Sequence, residues 1–155
     1  MIYFELNSKK YIFVHIPKTA GTSIKKAIFN NFKSYTNLTK SEKSNVYKYK
    51  DNIDSHAPIS YIKTRLVDHS VYFIVIVRNP WARLLSGYLD FVQNRKHQYS
   101  GKIKLDKPLL SEYDNFKDFV MKFDEGPWNK DVHFLPQHVY THAEGRTVDL
   151  IMRQE

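Results

Sequence analysis

Two short segments of the chain combine residue types that suit the binding of a phosphate-like anion. The first reads His15-Ile-Pro-Lys-Thr-Ala-Gly-Thr-Ser23, and the second reads Val77-Arg-Asn-Pro-Trp-Ala-Arg-Leu-Leu-Ser-Gly-Tyr88. Each follows an apolar run and leads into apolar residues at helical spacing, so each is predicted to join a strand to a helix. Backbone N–H groups and the positive end of the helix dipole favour an anion at such a junction.

In the first segment the side chains add to what the backbone offers. Gly21 lets the backbone approach an anion closely, and Lys18 places a cation over it. Hydroxyl donors are available from Thr19, Thr22 and Ser23. A lysine near a glycine usually marks an ordinary capped turn, but here strand, loop, lysine, glycine, hydroxyls and helix follow in order. The segment therefore predicts a cradle for a phosphate-like group.

The second segment has a strong helix start, because Asn79 is a good N-cap and Pro80 is a good first helical residue. Its predicted buried face carries six large apolar side chains: Trp81, Leu84, Leu85, Tyr88, Phe91 and Val92. Asn79, Arg83 and Ser86 share another stripe. That stripe predicts either an anion-binding face or a solvated surface with an ion-pairing arginine, and spacing favours neither.

The two segments differ from the nucleotide-triphosphatase pattern G-x-x-x-x-G-K-[ST]. Lys18 precedes Gly21, and the first glycine of the pattern is missing. Arg78 follows the second strand, at the place where those enzymes hold Mg²⁺ with an aspartate. A cation there indicates a second anionic group on the ligand and argues against metal-assisted ATP hydrolysis.

The wider pattern predicts an α/β protein. Apolar runs at Tyr11–Ile16, Val71–Val77 and Val148–Met152 are typical of strands. Helical spacing starts at Thr22 and Pro80 and recurs over Asn115–Phe123. Two strand-turn-helix units favour three layers, with a central mostly parallel sheet flanked by helices. Ligands bind outside the carboxyl ends of the strands in such folds, and both anion segments begin there.

The remaining segments give weaker signals. Residues 33–55 are polar and basic, with a run at Val46, Tyr47 and Tyr49 that forms an edge strand or lies open. Residues 56–66 are predicted to form a short helix with Ser55 as N-cap. The basic residues 94–108 are predicted to form a surface loop. Its charges either only keep the loop solvated or receive an acidic acceptor.

Composition limits the class of protein. A chain of 155 residues that is 42% hydrophobic is expected to form one domain, over 1–155. It has no cysteine, no apolar run of about 18 residues and no signal-peptide pattern, so a soluble, cytoplasmic protein is expected. A net charge of +8 predicts an anionic partner without choosing its class.

The two anion segments resemble a known family. FVHIPKTAGTS resembles the 5′-phosphosulfate loop of sulfotransferases that use 3′-phosphoadenosine 5′-phosphosulfate (PAPS), and IVRNPWARLLSGY resembles their 3′-phosphate segment. The likeness is closest to Golgi-type carbohydrate sulfotransferases and their bacterial or viral relatives. His133-Phe-Leu-Pro-Gln137 with Tyr140 resembles a later Pro-Gln element of that family. The likeness spans about residues 11–153, and members commonly continue further, so this chain is expected to be C-terminally short relative to them.

The resemblance implies a P-loop-like fold and transfer of a sulfuryl group from PAPS to a hydroxyl acceptor, a saccharide in many members. Adenosine 3′,5′-bisphosphate would be the product, and no metal would be required. The implied 5′-phosphosulfate site is formed by Pro17, Lys18, Thr19, Ala20, Gly21, Thr22 and Ser23. Arg78 and Ser86 would hold the 3′-phosphate. Lys18 would also be catalytic, because it would meet the charge that develops on the leaving oxygen.

A general base is needed to deprotonate the acceptor, and histidine titrates near the working pH. His56 is the first candidate, because HAPISY resembles the family region that supplies a catalytic histidine. His133 and His138 are alternatives, whereas His15 is expected to pack against the loop. His69, His97 and His142 are expected at the surface, and no spacing typical of a metal site is present.

Two other functions fit parts of the pattern. A small P-loop kinase or nucleotide hydrolase would use a strand-loop-helix unit, but the glycine-lysine order and Arg78 oppose it. A non-catalytic module that binds an anion or nucleic acid would use the positive charge and abundant aromatic residues, but no nucleic-acid motif is present. The expected partner is therefore a hydroxyl acceptor and not a nucleic acid.

Overall fold

The computed structural model describes residues 1–32, 35–37, 56–64, 70–93, 113–143 and 145–154. The chain divides into two compact units. The first contains Met1–Val77 and Pro136–Glu155, and the second contains Arg78–Leu135. The predicted run at 46–49, the cap at Ser55 and the loop at 94–108 lie outside the described residues.

The first unit begins with a β-hairpin. Strand β1 spans Ile2–Leu6 and strand β2 spans Lys9–Val14, paired antiparallel. Asn7 and Ser8 connect them with φ of 50° and 61°, as a two-residue hairpin turn with positive φ requires. This hairpin was not predicted, although an asparagine at the start of a two-residue link between β-rich runs is a hairpin signal.

Five further strands follow in the described part of the first unit: β3 (Tyr35–Asn37), β4 (Tyr72–Val77), β5 (His142–Ala143), β6 (Arg146–Thr147) and β7 (Leu150–Arg153). The main sheet has the order β3-β1-β2-β4-β7, while β5 and β6 pair separately. β2, β4 and β7 run parallel to one another, and the β1–β2 and β1–β3 pairs are antiparallel. The three predicted strands are therefore confirmed, with ends that shift by one or two residues.

Helices cover both faces of this sheet. Helix α1 (Gly21–Asn31) buries Ile28 in one cluster with Phe4, Phe13 and Ile76. Because side chains alternate along a strand, Phe73 of β4 points to the other face. There, Lys63 of helix α2 (Ile59–Lys63) lies with its Nζ 5.8 Å from the centre of the Phe73 ring. The arrangement confirms the predicted α/β class, with a parallel centre flanked by helices.

Helix α2 starts later than the sequence suggested. The prediction placed a helix from His56, whereas the observed helix begins at Ile59 after an extended Pro58 (φ −61°, ψ 156°). A proline disfavours helical backbone in the residue before it, so Ala57 cannot readily join the helix. His56 consequently lies in a turn ahead of α2.

The second unit contains helix α3 (Pro80–Gly87), which continues into a π-helical turn (Tyr88–Gln93), and helix α4 (Phe116–Met121). A 3₁₀ turn (Pro127–Lys130) follows. The core is aromatic: fully buried Phe119 packs among Tyr88, Tyr113, Trp128 and Phe134. The helical spacing predicted over 115–123 is confirmed, with the Asn115 side chain accepting a hydrogen bond from the N–H of Asp118.

The buried face of α3 differs from the predicted one. Trp81 is 69% exposed and Leu85 is 39% exposed, whereas Arg83 is only 7% exposed. A Cβ on Gly87 would lie 2.5 Å from the ring of Phe134, so the helix and the following segment approach closely at this glycine. Arg83 lies one helical turn before Gly87 on the same face, and these two are the buried residues of α3.

A last helix, α5 (His138–Thr141), precedes β5 in the first unit. None of the helices in the described ranges is long and apolar enough to cross a membrane.

Candidate functional site

The first predicted anion segment connects β2 to α1 in the first unit. β2 and β4 are adjacent and parallel, with Val14 opposite Val75, so their carboxyl ends lie at the same edge of the sheet. The loop after β2 begins at this edge. In parallel α/β sheets ligands bind at that edge, which is where the sequence analysis expected chemistry.

The loop has an unusual backbone for residues with side chains. Lys18 and Ala20 both adopt left-handed conformations, with φ of 65° and 61°. Such conformations are costly for residues other than glycine and persist only where surrounding structure holds them. Alternating left-handed and ordinary residues turn successive N–H groups toward one concave side, which is an arrangement that binds anions.

Thr19 holds this loop from within. Its side chain is fully buried, and its hydroxyl donates to the carbonyl oxygen of Ile16 at 2.9 Å. The hydroxyl therefore does not serve as the anion donor that the sequence analysis expected. Thr19 can still offer a backbone N–H, whereas the side chains of Thr22 and Ser23 are exposed. Pro17 is buried at the base of the loop.

The N-terminus of α1 is open to an anion. Ala20 occupies the N-cap position, and in the described part of the chain no side chain caps the helix there. The first turn contains no acidic residue. The N–H groups of Gly21, Thr22 and Ser23 come before the first hydrogen bond of the helix ladder, from the N–H of Ile24 to the carbonyl of Ala20. This end of α1 can therefore donate several hydrogen bonds to one anion.

His56 lies beside the same loop. Its Nδ1 is 3.1 Å from the carbonyl oxygen of His15, and the centres of the two imidazole rings are 4.5 Å apart. A carbonyl only accepts hydrogen bonds, so in the neutral ring Nδ1 carries the proton and Nε2 carries the basic lone pair. The described structure thus brings the predicted base together with the predicted anion loop.

The second anion segment opens the second unit. Arg78 and Ser86 are both partly buried, Arg78 directly after β4 and Ser86 on α3. Asn79 caps α3 as predicted, because its Oδ1 accepts from the N–H groups of Trp81 and Ala82. Two N–H groups at the start of α3 are therefore already bonded to a side chain, whereas α1 has no such side-chain cap among the described residues.

Arg83 serves a structural role in place of the predicted surface stripe. Its two terminal nitrogens donate to the carbonyl oxygens of Leu135 and His133, each at 2.9 Å. A guanidinium offers planar, forked donors that can satisfy two carbonyls at once. The predicted stripe of Asn79, Arg83 and Ser86 is therefore not a shared anion-binding face.

The alternative bases have different surroundings. His133 bonds through Nδ1 to Oδ1 of Asp131 at 2.8 Å, and that carboxylate also accepts from the His133 N–H at 2.8 Å. Asp131 is buried. It lies in the turn whose carbonyl groups accept hydrogen bonds from Arg83. His138 and His142 are exposed, as expected for His142, while His69 and His97 lie outside the described residues.

No group of three or more histidine, aspartate or glutamate side chains within the described ranges is arranged to hold a metal ion. His15 is buried and packs against the loop, as expected, but its partner there, Gly21, was not predicted. A Cβ on Gly21 would lie 1.9 Å from the His15 ring. Their six-residue spacing gave no signal, because the contact depends on how the loop folds back.

The chain was also compared with known protein families. The model described as "Sulfotransferase family" matches residues 4–155, which is nearly the whole chain. No curated protein and no solved structure matches the chain. The match contains both anion segments and the histidine beside the first of them. The chain therefore belongs to the sulfotransferase family, and it is a transferase whose class of reaction is sulfuryl transfer.

Proposed function

We propose that this protein transfers a sulfuryl group from PAPS to a hydroxyl of a carbohydrate acceptor. The observation that carries the proposal is the open N-terminus of α1 behind a left-handed loop, with His56 beside it. The family membership supports sulfuryl transfer, and the two motifs support PAPS as the donor.

The loop has the donors that a phosphosulfate needs. Backbone N–H groups at Gly21, Thr22 and Ser23 are joined by two exposed hydroxyls. Lys18 adds a positive charge beside them, so the site matches an anion in both charge and hydrogen-bond type. We assign Arg78 and Ser86 to the 3′-phosphate, on the strength of the sequence motif that contains them.

When bound, PAPS supplies the sulfuryl group and leaves as adenosine 3′,5′-bisphosphate. Lys18 and the α1 N–H groups stabilise negative charge on the oxygen at the 5′-phosphate. Nε2 of His56 accepts the proton of the acceptor hydroxyl, since Nδ1 already donates to the His15 carbonyl. The chain thus supplies a base and an electrostatic clamp.

Ligand-induced thermal stabilisation tests the donor assignment. A ligand at about 100 times its Kd adds about 2.7 kcal/mol to the stability of the native state. We expect adenosine 3′,5′-bisphosphate to raise Tm by several degrees more than AMP or ADP does. Equal shifts with all three nucleotides would contradict a PAPS site.

Two lysines, one in the loop before α1 and one on α1 itself, give a matched comparison. Lys18→Ala should abolish most of the shift with the bisphosphate, because it removes the cation of the anion loop. Lys26 is an exposed residue of α1, so Lys26→Ala should leave the shift intact. Equal losses in both variants would mean that only the general positive charge matters.

Transfer assays with labelled PAPS test the acceptor. We expect incorporation into polysaccharides with free hydroxyls and little into simple phenols. His56→Ala should lower kcat by about a hundredfold while the affinity for the bisphosphate stays close to that of the unmodified protein. Loss of binding in parallel with turnover would assign His56 to the donor pocket and not to proton transfer.

A further inference from the structure

His15 occupies a position between the anion loop and the base. Its side chain is 9% exposed and stacks on Phe13, with ring centres 6.2 Å apart. A Cβ added to Gly21 would lie 1.9 Å from both Cδ2 and Nε2 of His15. Real Cβ atoms essentially never come so close, so the His15 ring in this position leaves no room for a Cβ at residue 21.

The need for Gly21 comes from packing and not from backbone conformation. Gly21 is the first residue of α1, and the one glycine with positive φ in the described residues is Gly145. Alanine would therefore fit the backbone at 21 if the His15 ring were smaller. The sequence motif explains this glycine by the close approach of an anion. In the structure the same glycine also makes room for the His15 ring.

The other side of His15 contacts the base. The ring of His56 lies 4.5 Å from that of His15, and its Nδ1 lies 3.1 Å from the His15 carbonyl oxygen. One residue therefore fixes two properties of His56. Its carbonyl selects the Nδ1–H tautomer, and its ring packs against the ring of His56.

We propose that His15 is the positioning residue of the site: it orients Nε2 of His56 and sets the spacing between His56 and the anion loop at Gly21. The tautomer follows from the geometry alone, whereas the catalytic consequence rests on the proposed sulfuryl transfer. His15 does not itself exchange a proton with the acceptor in this scheme. Its effect on the reaction is transmitted through His56.

The first test is spectroscopic and needs no activity. Long-range ¹H–¹⁵N correlation spectra of the full chain, with the His56 signals assigned from His56→Ala, report which ring nitrogen carries the proton. We expect Nδ1–H at His56 in the unmodified protein. The Nε2–H form there would overturn the proposal, whatever the protein's activity.

Variants then test whether the His15 side chain maintains that state. His15→Ala keeps the backbone carbonyl but removes the ring that holds His56 against it, so we expect His56 to show a mixture of both tautomers. The exposed His142 offers a control, and His142→Ala should leave the His56 signals unchanged. A His56 spectrum that is identical in His15→Ala and the unmodified protein would overturn the positioning role.

The contact with Gly21 gives a double-mutant cycle. Gly21→Ala should weaken binding of adenosine 3′,5′-bisphosphate by about tenfold or more, since the His15 ring must move and the loop with it. The double variant with His15→Ala should recover most of that binding. If Gly21→Ala is equally harmful with and without His15, the two residues do not act together and the proposal fails.

Turnover separates positioning from packing. His15→Ala should reduce kcat by about a hundredfold with little change in bisphosphate affinity, because misplacing a base by about 1 Å has effects of that size. The double variant should bind the bisphosphate but remain slow. If it regains both binding and turnover, His15 serves only to pack against Gly21.

These experiments also distinguish a failure of the His15 proposal from a failure of the proposed function. If the chain ignores the bisphosphate, the sulfuryl-transfer assignment fails, while the tautomer of His56 still tests the arrangement of the two histidines. Should Gly21→Ala fail to fold, the cycle is replaced by urea unfolding of His15→Ala and by the tautomer measurement. If His15→Ala is then as stable in urea as the unmodified protein and His56 keeps the Nδ1–H tautomer, the positioning role is overturned, whereas the proposed function is not.

Discussion

Nη1 of Arg83 donates a hydrogen bond of 2.9 Å to the carbonyl oxygen of Leu135, which lies 52 residues later in the chain. With its second bond to the carbonyl of His133, the guanidinium ties α3 to the turn that contains Asp131. The arginine thus serves the fold of the second unit. A residue type that suits phosphate is here used to satisfy the backbone.

Replacing Arg83 should destabilise the second unit. Arg83→Met leaves two carbonyls in a buried region without their donor, so we expect a loss of about 3 kcal/mol in the free energy of unfolding. Arg83→Lys should recover only part of it, because an ammonium lacks the planar fork. Urea denaturation followed by tryptophan fluorescence measures both, with Lys117→Met, an exposed residue of α4, as the control. An Arg83→Met variant as stable as the control would contradict the structural role.

Two threonines of the anion segment should behave differently. Thr19→Val removes the buried hydroxyl bond to Ile16 and should lower the stability by about 1 to 2 kcal/mol. Thr22 is exposed at the start of α1, so Thr22→Val should leave Tm unchanged and weaken bisphosphate binding. Calorimetric melting and titration separate the two effects. The assignment fails if Thr22→Val lowers Tm as much as Thr19→Val does.

An exposed ion pair on α4 gives a prediction about pH. The hydrogen bond from Lys122 lowers the pKa of Asp118 below its ordinary value of 3.8, and the same bond raises the pKa of Lys122 above 10.5. The Asp118 contribution to stability is therefore present above its unfolded pKa and lost as the pH falls through the folded one. The Lys122 contribution is present below its unfolded pKa and lost as the pH rises through the folded one.

We expect Asp118→Asn to lower Tm slightly at neutral pH. Both partners are on the surface, so the difference should shrink in molar salt and vanish in strong acid. Lys122→Met should show the same pattern as Asp118→Asn. A difference in Tm between Asp118→Asn and the unmodified protein that persists at pH 2 would mean that Asp118 acts through something other than its charge.

Sulfuryl transfer by this chain should continue in EDTA. The sulfuryl group carries one formal charge fewer than a phosphoryl group, so we expect Lys18 and backbone donors to stabilise it without a metal. Initial rates with EDTA should equal those with added Mg²⁺. A rate that falls with EDTA and recovers with one divalent cation would contradict this scheme.

The sequence predicted the elements that local rules govern. The apolar run at 71–77 indicated β4, and Asn79-Pro80 indicated the start of α3, because strand burial and helix capping depend on neighbouring residues. Local rules also placed the anion loop between a strand and a helix. They failed for the β1–β2 hairpin, whose weak Asn-Ser signal was not used in the prediction, and for α2, whose start Pro58 delays.

The chain order by itself determined where the predicted anion loop, its lysine and its helix would lie, since these are contiguous residues within one strand-loop-helix unit. The particular partners of His15 and Arg83 were decided by tertiary structure. One imidazole meets Gly21 and His56, and one guanidinium meets carbonyls about fifty residues away. Such contacts depend on which surfaces the fold brings together, and a residue type indicates only what bonds it can form there.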